Sequence, residues 1–155
     1  MMGEIIRQAP DALLFTASNT LKGDSVWGQY VYSKFADSKI FDLAKMWVVC
    51  RILGDVNNDW RGDRESLDLM LAVQAVSPQS ALSERGAARI RHLLHLSGVN
   101  DRRTDVSIGT HSEWHFLSCA VDRSIRVIPN KDLGMRWYET GYVFQVRMEA
   151  KDAYV

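Results

Sequence analysis

Leu67-Asp68-Leu69-Met70-Leu71-Ala72-Val73-Gln74-Ala75-Val76-Ser77, followed at once by Pro78 and a helical pattern, is the stretch that decides the fold. Leu67, Leu69, Leu71, Val73 and Ala75 alternate with Asp68, Met70, Ala72 and Gln74. A period of two gives a strand one apolar face. Ser77-Pro78 then ends the strand and predicts a helix, with Ser77 as its N-cap and Pro78 at the first helical position. Along that helix Leu82, Gly86, Ile90, Leu93, Leu94 and Ser97 share a face, and Gly98 supplies the stop.

Upstream, Met46-Trp47-Val48-Val49-Cys50-Arg51-Ile52-Leu53 is almost continuously apolar, as expected of a central strand. The Gly, Asn and Asp residues of Gly54 to Glu65 read as a polar loop, so the two runs form a long antiparallel hairpin with a projecting tip. Val26 to Tyr32 has strand composition. Residues 3–21 are helical by the spacing of Ile5, Ile6, Ala9, Leu13 and Ala17, with Pro10 either opening the helix or breaking a short turn before it. Downstream, Asn100 to His111 is a loop. Trp114 to Ile128 is one strand with a break near Asp122, or two short strands. Pro129 to Gly134 is a turn. In the last strand Tyr142, Phe144, Val146 and Met148 alternate with Gly141, Gln145, Arg147 and Glu149. The order predicts an α+β fold: an antiparallel sheet of about four to five strands with helices on one face, as a single domain over residues 1–155. Leu67, Leu69, Leu71, Val73, Ile90, Leu93, Leu94, Tyr142, Phe144 and Val146 are its expected core.

Composition narrows the function. The 155 residues are 46% hydrophobic and 25% charged, with 19 basic and 19 acidic side chains. That apolar fraction excludes a disordered chain, and zero net charge argues against a protein whose main task is gripping nucleic acid. No apolar run reaches the roughly 18 residues of a membrane span, and the first residues lack a secretory pattern. Cys50 and Cys119 sit in apolar runs and read as buried, reduced thiols of a protein folded in a cytoplasm. Neutrality together with five Trp, five Tyr and five Phe also favours self-association.

Few residue patterns in the chain point to chemistry. His111, Glu113 and His115 would share a strand face, yet their spacing is not His-Glu-x-x-His and no fourth ligand is evident. His92 and His95 lie three apart on the basic helix, with His92 towards its polar side. Asp132, Glu149 and Lys151 loosely match the Asp…Glu-x-Lys set of metal-dependent nucleases, although Glu149-Ala150-Lys151 falls where fraying is expected. Arg61-Gly62-Asp63 reads as a turn. There is no phosphate loop, nucleophile elbow or Cys-x-x-Cys. The expectation is therefore no catalytic residue, no metal and no cofactor. A small metal-dependent nuclease of phage or mobile-element origin is the alternative.

Taken together, the N-terminal helix, the aromatic strand Tyr30-Val31-Tyr32, the strand Leu67–Ser77 leading into Ala87-Ala88-Arg89-Ile90-Arg91-His92-Leu93-Leu94, and the closing run Trp137–Ala150 resemble the tail-completion, or tail terminator and head–tail joining, proteins of long-tailed phages. The resemblance spans roughly residues 3–150. It implies a non-enzymatic virion protein of the tail or neck, assembled in the host cytoplasm. Such a protein forms a ring, a hexamer in the family, that caps the tail tube and ends its polymerisation. Its implied partners are further copies of itself, the tail tube protein and a head-completion or connector protein. DNA passes through the lumen without specific binding, and no membrane is involved. Residues 54–68 are net acidic and residues 81–103 net basic, which suits a head-to-tail contact between copies. Trp60 and Arg61 are the expected anchors, with Asp63 and the acidic loop near Arg85, Arg89 or Arg102 of a neighbour.

Overall fold

The alternating run of residues 67–75 becomes the middle of a five-stranded sheet. The computed structural model describes residues 2–25, 27, 30–32, 46–61, 64–95, 108–127 and 138–151. In chain order the elements are α1 (Met2–Lys22), β1 (Val31–Tyr32), β2 (Trp47–Arg61), β3 (Arg64–Ser77), α2 (Ser80–Leu94), β4 (Trp114–Val127) and β5 (Tyr138–Ala150). The spatial order is β1-β2-β3-β5-β4. The chain leaves β3, crosses through α2 to the far edge as β4, and returns as β5 into the gap between them. The β2–β3, β3–β5 and β4–β5 pairs are antiparallel.

One face of the sheet carries the core. Leu69, Leu71, Val73 and Ala75 pack with Val48, Cys50, Phe144, Val146, Trp114 and Phe116, and α1 and α2 cover them with Leu13, Ala17, Leu21, Ile90 and Leu94. Trp27, Trp47 and Trp114 are fully buried, so these three aromatics serve packing. Of the expected core, Leu93 and Tyr142 are only partly buried at its rim, and the side chain of Leu67 lies outside the described residues.

Several local expectations are corrected. Gly54 to Glu65 is not a loop: β2 continues to Arg61 and β3 begins at Arg64, with Asn58 opposite Leu67 and Trp60 opposite Glu65. A ladder needs only backbone partners, so turn-forming composition does not prevent it. One irregularity, between Leu53 and Asn57, absorbs the change of register. Of the strand expected over Val26–Tyr32, the described residues place Val31–Tyr32 in the sheet and Trp27 and Tyr30 outside it, and Val31–Tyr32 pairs in parallel with Val48 and Val49. Pro10 neither opens nor breaks α1 but lies inside it.

Ser77 is not the N-cap of α2. It stays in β3, paired with Tyr138, and its Oγ accepts the Gln79 N–H at 3.1 Å, so the helix starts at Ser80. It ends at Leu94, before Gly98, which lies outside the described residues. The buried face of α2 is Ser83, Gly86, Ala87, Ile90 and Leu94, rotated from the expected one. The Ser83 hydroxyl explains the rotation: it donates to the Ala75 carbonyl at 2.8 Å and lies 2.9 Å from the Thr140 hydroxyl. β4 is a single strand with register shifts at Phe116/Ser118 and Val121/Arg123, the second being the break expected near Asp122.

Candidate functional site

The sequence-level metal candidates do not converge. His111 and Glu113 precede β4, and His111 Nδ1 accepts the Glu113 N–H at 3.1 Å, so only His115 is on the strand. Among the described residues no group of three or more His, Cys, Asp or Glu side chains could hold a metal ion. Glu149 is not at a frayed end; it is buried in β5, opposite Ser66 and His115. The Lys151 N–H closes that end of the sheet by donating to the Glu113 carbonyl at 3.0 Å. Asp132 lies outside the described residues.

Of the remaining candidates, His95 and the two cysteines serve structure. His95 Nδ1 accepts the Val121 N–H at 3.1 Å, beside the second register shift of β4, while His92 is exposed. A bulge disrupts the ladder locally, and the imidazole takes up a backbone donor there. Cys50 and Cys119 are buried and free. Burial pushes both thiols up to about 12, against small opposing effects of Ser18 and Lys22 at Cys50. The thiolate is the nucleophile, so neither cysteine is reactive at neutral pH.

For assembly, the structure separates the arginines. Arg89 is committed within the chain: its Nη2 and Nε donate to the two carboxylate oxygens of Asp24 at 2.7 and 3.1 Å, tying the end of α1 to α2. The Asp24 carboxylate in turn holds the guanidinium above its usual range. Arg85 is exposed on α2. The backbones of Trp60 and Arg61 end β2, but their side chains, together with Asp63 and Arg102, lie outside the described residues.

A surface missed by the sequence reading surrounds Phe15. Ala9, Leu13, Ala17 and Leu21 are the buried side of α1, whereas Phe15 is 63% exposed, the exposed large hydrophobic of the described residues. It lies two residues from Leu13 and from Ala17, about 200° around the helix, and this offset was the available signal. On one side of the ring is a hollow of about 380 Å3, lined by α1 from Asp11 to Lys22 and by Val31 of β1. On the other is one of about 240 Å3, walled by Asp11, His111 and Glu113 over Ala12. The His111 ring meets Phe15 edge-on, at 6.5 Å between centroids and 88°. The loop that brings His111 there is held by the Thr20 hydroxyl donating to the Ile108 carbonyl, and turns at Gly109 with φ +112°.

No protein-family model matches this sequence, and no curated protein does. Among solved structures, the fold is similar to that of a chain in the virion of a native gene transfer agent particle. The likeness covers 90% of this chain and 96% of that one, with a TM-score of 0.66 and 17% sequence identity. At that identity the two share a fold.

Proposed function

We propose that this chain is a structural protein of a phage-like virion that caps the tail tube as a ring, ending its polymerisation and forming the joint to the head. The likeness of fold to a virion subunit over nearly the whole of both chains carries this reading. Zero net charge suits a ring whose lumen passes DNA without holding it. The partners are then further copies of the chain, six in a closed ring by the family resemblance, with the tail tube on one side and a head-completion protein on the other. In this reading the chain performs no catalysis.

Native mass measurement of the purified chain tests the ring, and the expected result is a closed hexamer. Complementation of a particle lacking the protein tests the role, with uncapped, over-long tails expected in its absence. Glu149→Gln and His115→Ala are expected to support normal particles. Folded variants at either position that fail to complement would restore the nuclease or metal-site alternative.

A further inference from the structure

We infer that Phe15 anchors the contact between successive copies of this chain, seated on the basic flank that α2 and the C-terminal half of β4 present in the neighbour. This rests on the ring reading above and names the surfaces that would build it. Phe15 projects at 63% exposure between two recesses, a shape that fits a partner with projections on either side of an apolar floor. Large exposed apolar side chains beside recesses mark interaction sites, and aromatic anchors dominate interfaces.

Charge selects the occupant. Around Phe15 stand the carboxylates of Asp11 and Glu113, with Lys22 at the far end of the larger hollow. On the other flank Arg85, Arg91 and Arg126 outweigh Glu84 and Asp122, and all five are exposed. The side chain of Arg126 is 72% exposed. Arg126 reaches Glu84 at 3.4 Å, which joins the α2 and β4 parts into one surface. The partly buried Tyr142 ring, 5.7 Å from the Arg91 guanidinium, supplies its apolar floor. Complementary patches steer association and set register.

Geometry places the two patches on different copies. Glu113 immediately precedes β4 and Arg126 is the residue before its last, about 40 Å apart along a strand rising about 3.3 Å per residue. They cannot meet within one chain. Two different patches that meet between copies form a heterologous contact, which repeats and closes as a ring when the rotation permits. The contact runs through side chains and not by strand addition. β4 is an edge strand with two register shifts and a run of charged residues, features that block pairing with another strand.

The test follows assembly by native mass and sedimentation across concentration, using the full chain. Phe15→Ala, at an exposed position, is expected to leave the monomer folded by circular dichroism and to raise the half-assembly concentration at least tenfold. The charge reversals D11R/E113R and R91E/R126E are each expected to weaken assembly similarly, and mixing the two double variants to restore it at the swapped interface. A ring that forms in wild type and survives Phe15→Ala or both reversals unchanged overturns this contact while leaving the ring standing. Loss of tail-tube binding in Phe15→Ala with self-assembly intact would assign the groove to the tube protein and overturn it too. A wild-type chain that stays monomeric at every concentration removes the ring itself.

Discussion

A methyl group at position 86 would lie 2.6 Å from Ala75 Cβ, 2.7 Å from Met46 Sδ and 2.8 Å from Trp27 Cη2. Gly86 therefore lets α2 settle onto the sheet. Gly86→Ala sets two effects against each other: a helix-propensity gain of about 1 kcal/mol and an overpacking cost of about 1–3 kcal/mol. Two of the three clashing atoms belong to buried side chains with no room to retreat, so the cost wins. Urea unfolding is expected to show a net loss. Gly141→Ala is expected to be worse, because a Cβ there would overlap the Val73 carbonyl of the neighbouring strand. The thiols give a pH signature. Cys50 and Cys119 hold their protons up to about 12 when folded, against 9.0 ordinarily. Above pH about 9 the unfolded chain loses protons that the folded chain keeps, so stability falls as pH rises, by about 1.4 kcal/mol per unit for each thiol. Comparing urea midpoints at about pH 8 and pH 10 checks this, and a Cys50→Ala/Cys119→Ala variant is expected to show a shallower slope.

At the scale of elements, the rotation of α2 makes two neighbouring leucines unequal. Leu94 is fully buried and Leu93 lies at the rim of the core. Leu94→Ala is expected to cost about 2–5 kcal/mol and Leu93→Ala clearly less; equal losses in chemical denaturation would return the helix to the face its sequence suggested. The Asp24–Arg89 clasp joins α1 to α2, and Asp24→Asn is expected to lower Tm by weakening a charge-assisted, two-pronged bond to a buried carboxylate. The extension of the β2–β3 hairpin to Arg61 and Arg64 is checked by hydrogen exchange. Alternate amides over Asn57–Arg61 are expected to be protected, whereas a loop would exchange throughout.

For the whole molecule, the sheet ends in unequal edges. Among the described residues β1 covers Val48 and Val49 of β2 alone, while β4 forms a full-length edge blunted by bulges and charge. In the ring proposed above, assembly depends on side-chain surfaces, and the Phe15 groove and the basic flank sit about a β4 length apart to provide them. In the ring-capping role proposed above the chain needs no metal. Saturating Mg2+, Mn2+ or Zn2+ is therefore expected to leave Tm unchanged, since a ligand stabilises only the state it binds. A rise of several degrees with one of them would point to a site and to the enzymatic alternative.

The α+β class, the central alternating strand, the last strand, the break in β4 and the burial of both cysteines were legible in the sequence. Each is written in a local hydrophobic period or an apolar run, which burial enforces wherever the chain packs. Gly62-Asp63, of a type that closes two-residue hairpins, was also a legible sign that β2 and β3 continue, but turn-rich composition on both sides obscured it. Tertiary structure alone decided the rest. Pairing with Tyr138 kept Ser77 in its strand, the Ser83 hydroxyl turned α2, and β1 joined in parallel. The fate of these charged and aromatic side chains was settled the same way: Arg89 was paired with Asp24, His95 was claimed by β4, and Phe15 was left facing outward. Periodicity reports which face of an element is apolar. Which distant group waits opposite a given side chain depends on contacts between elements far apart in the chain, and these exist only once the sheet and its two helices have come together.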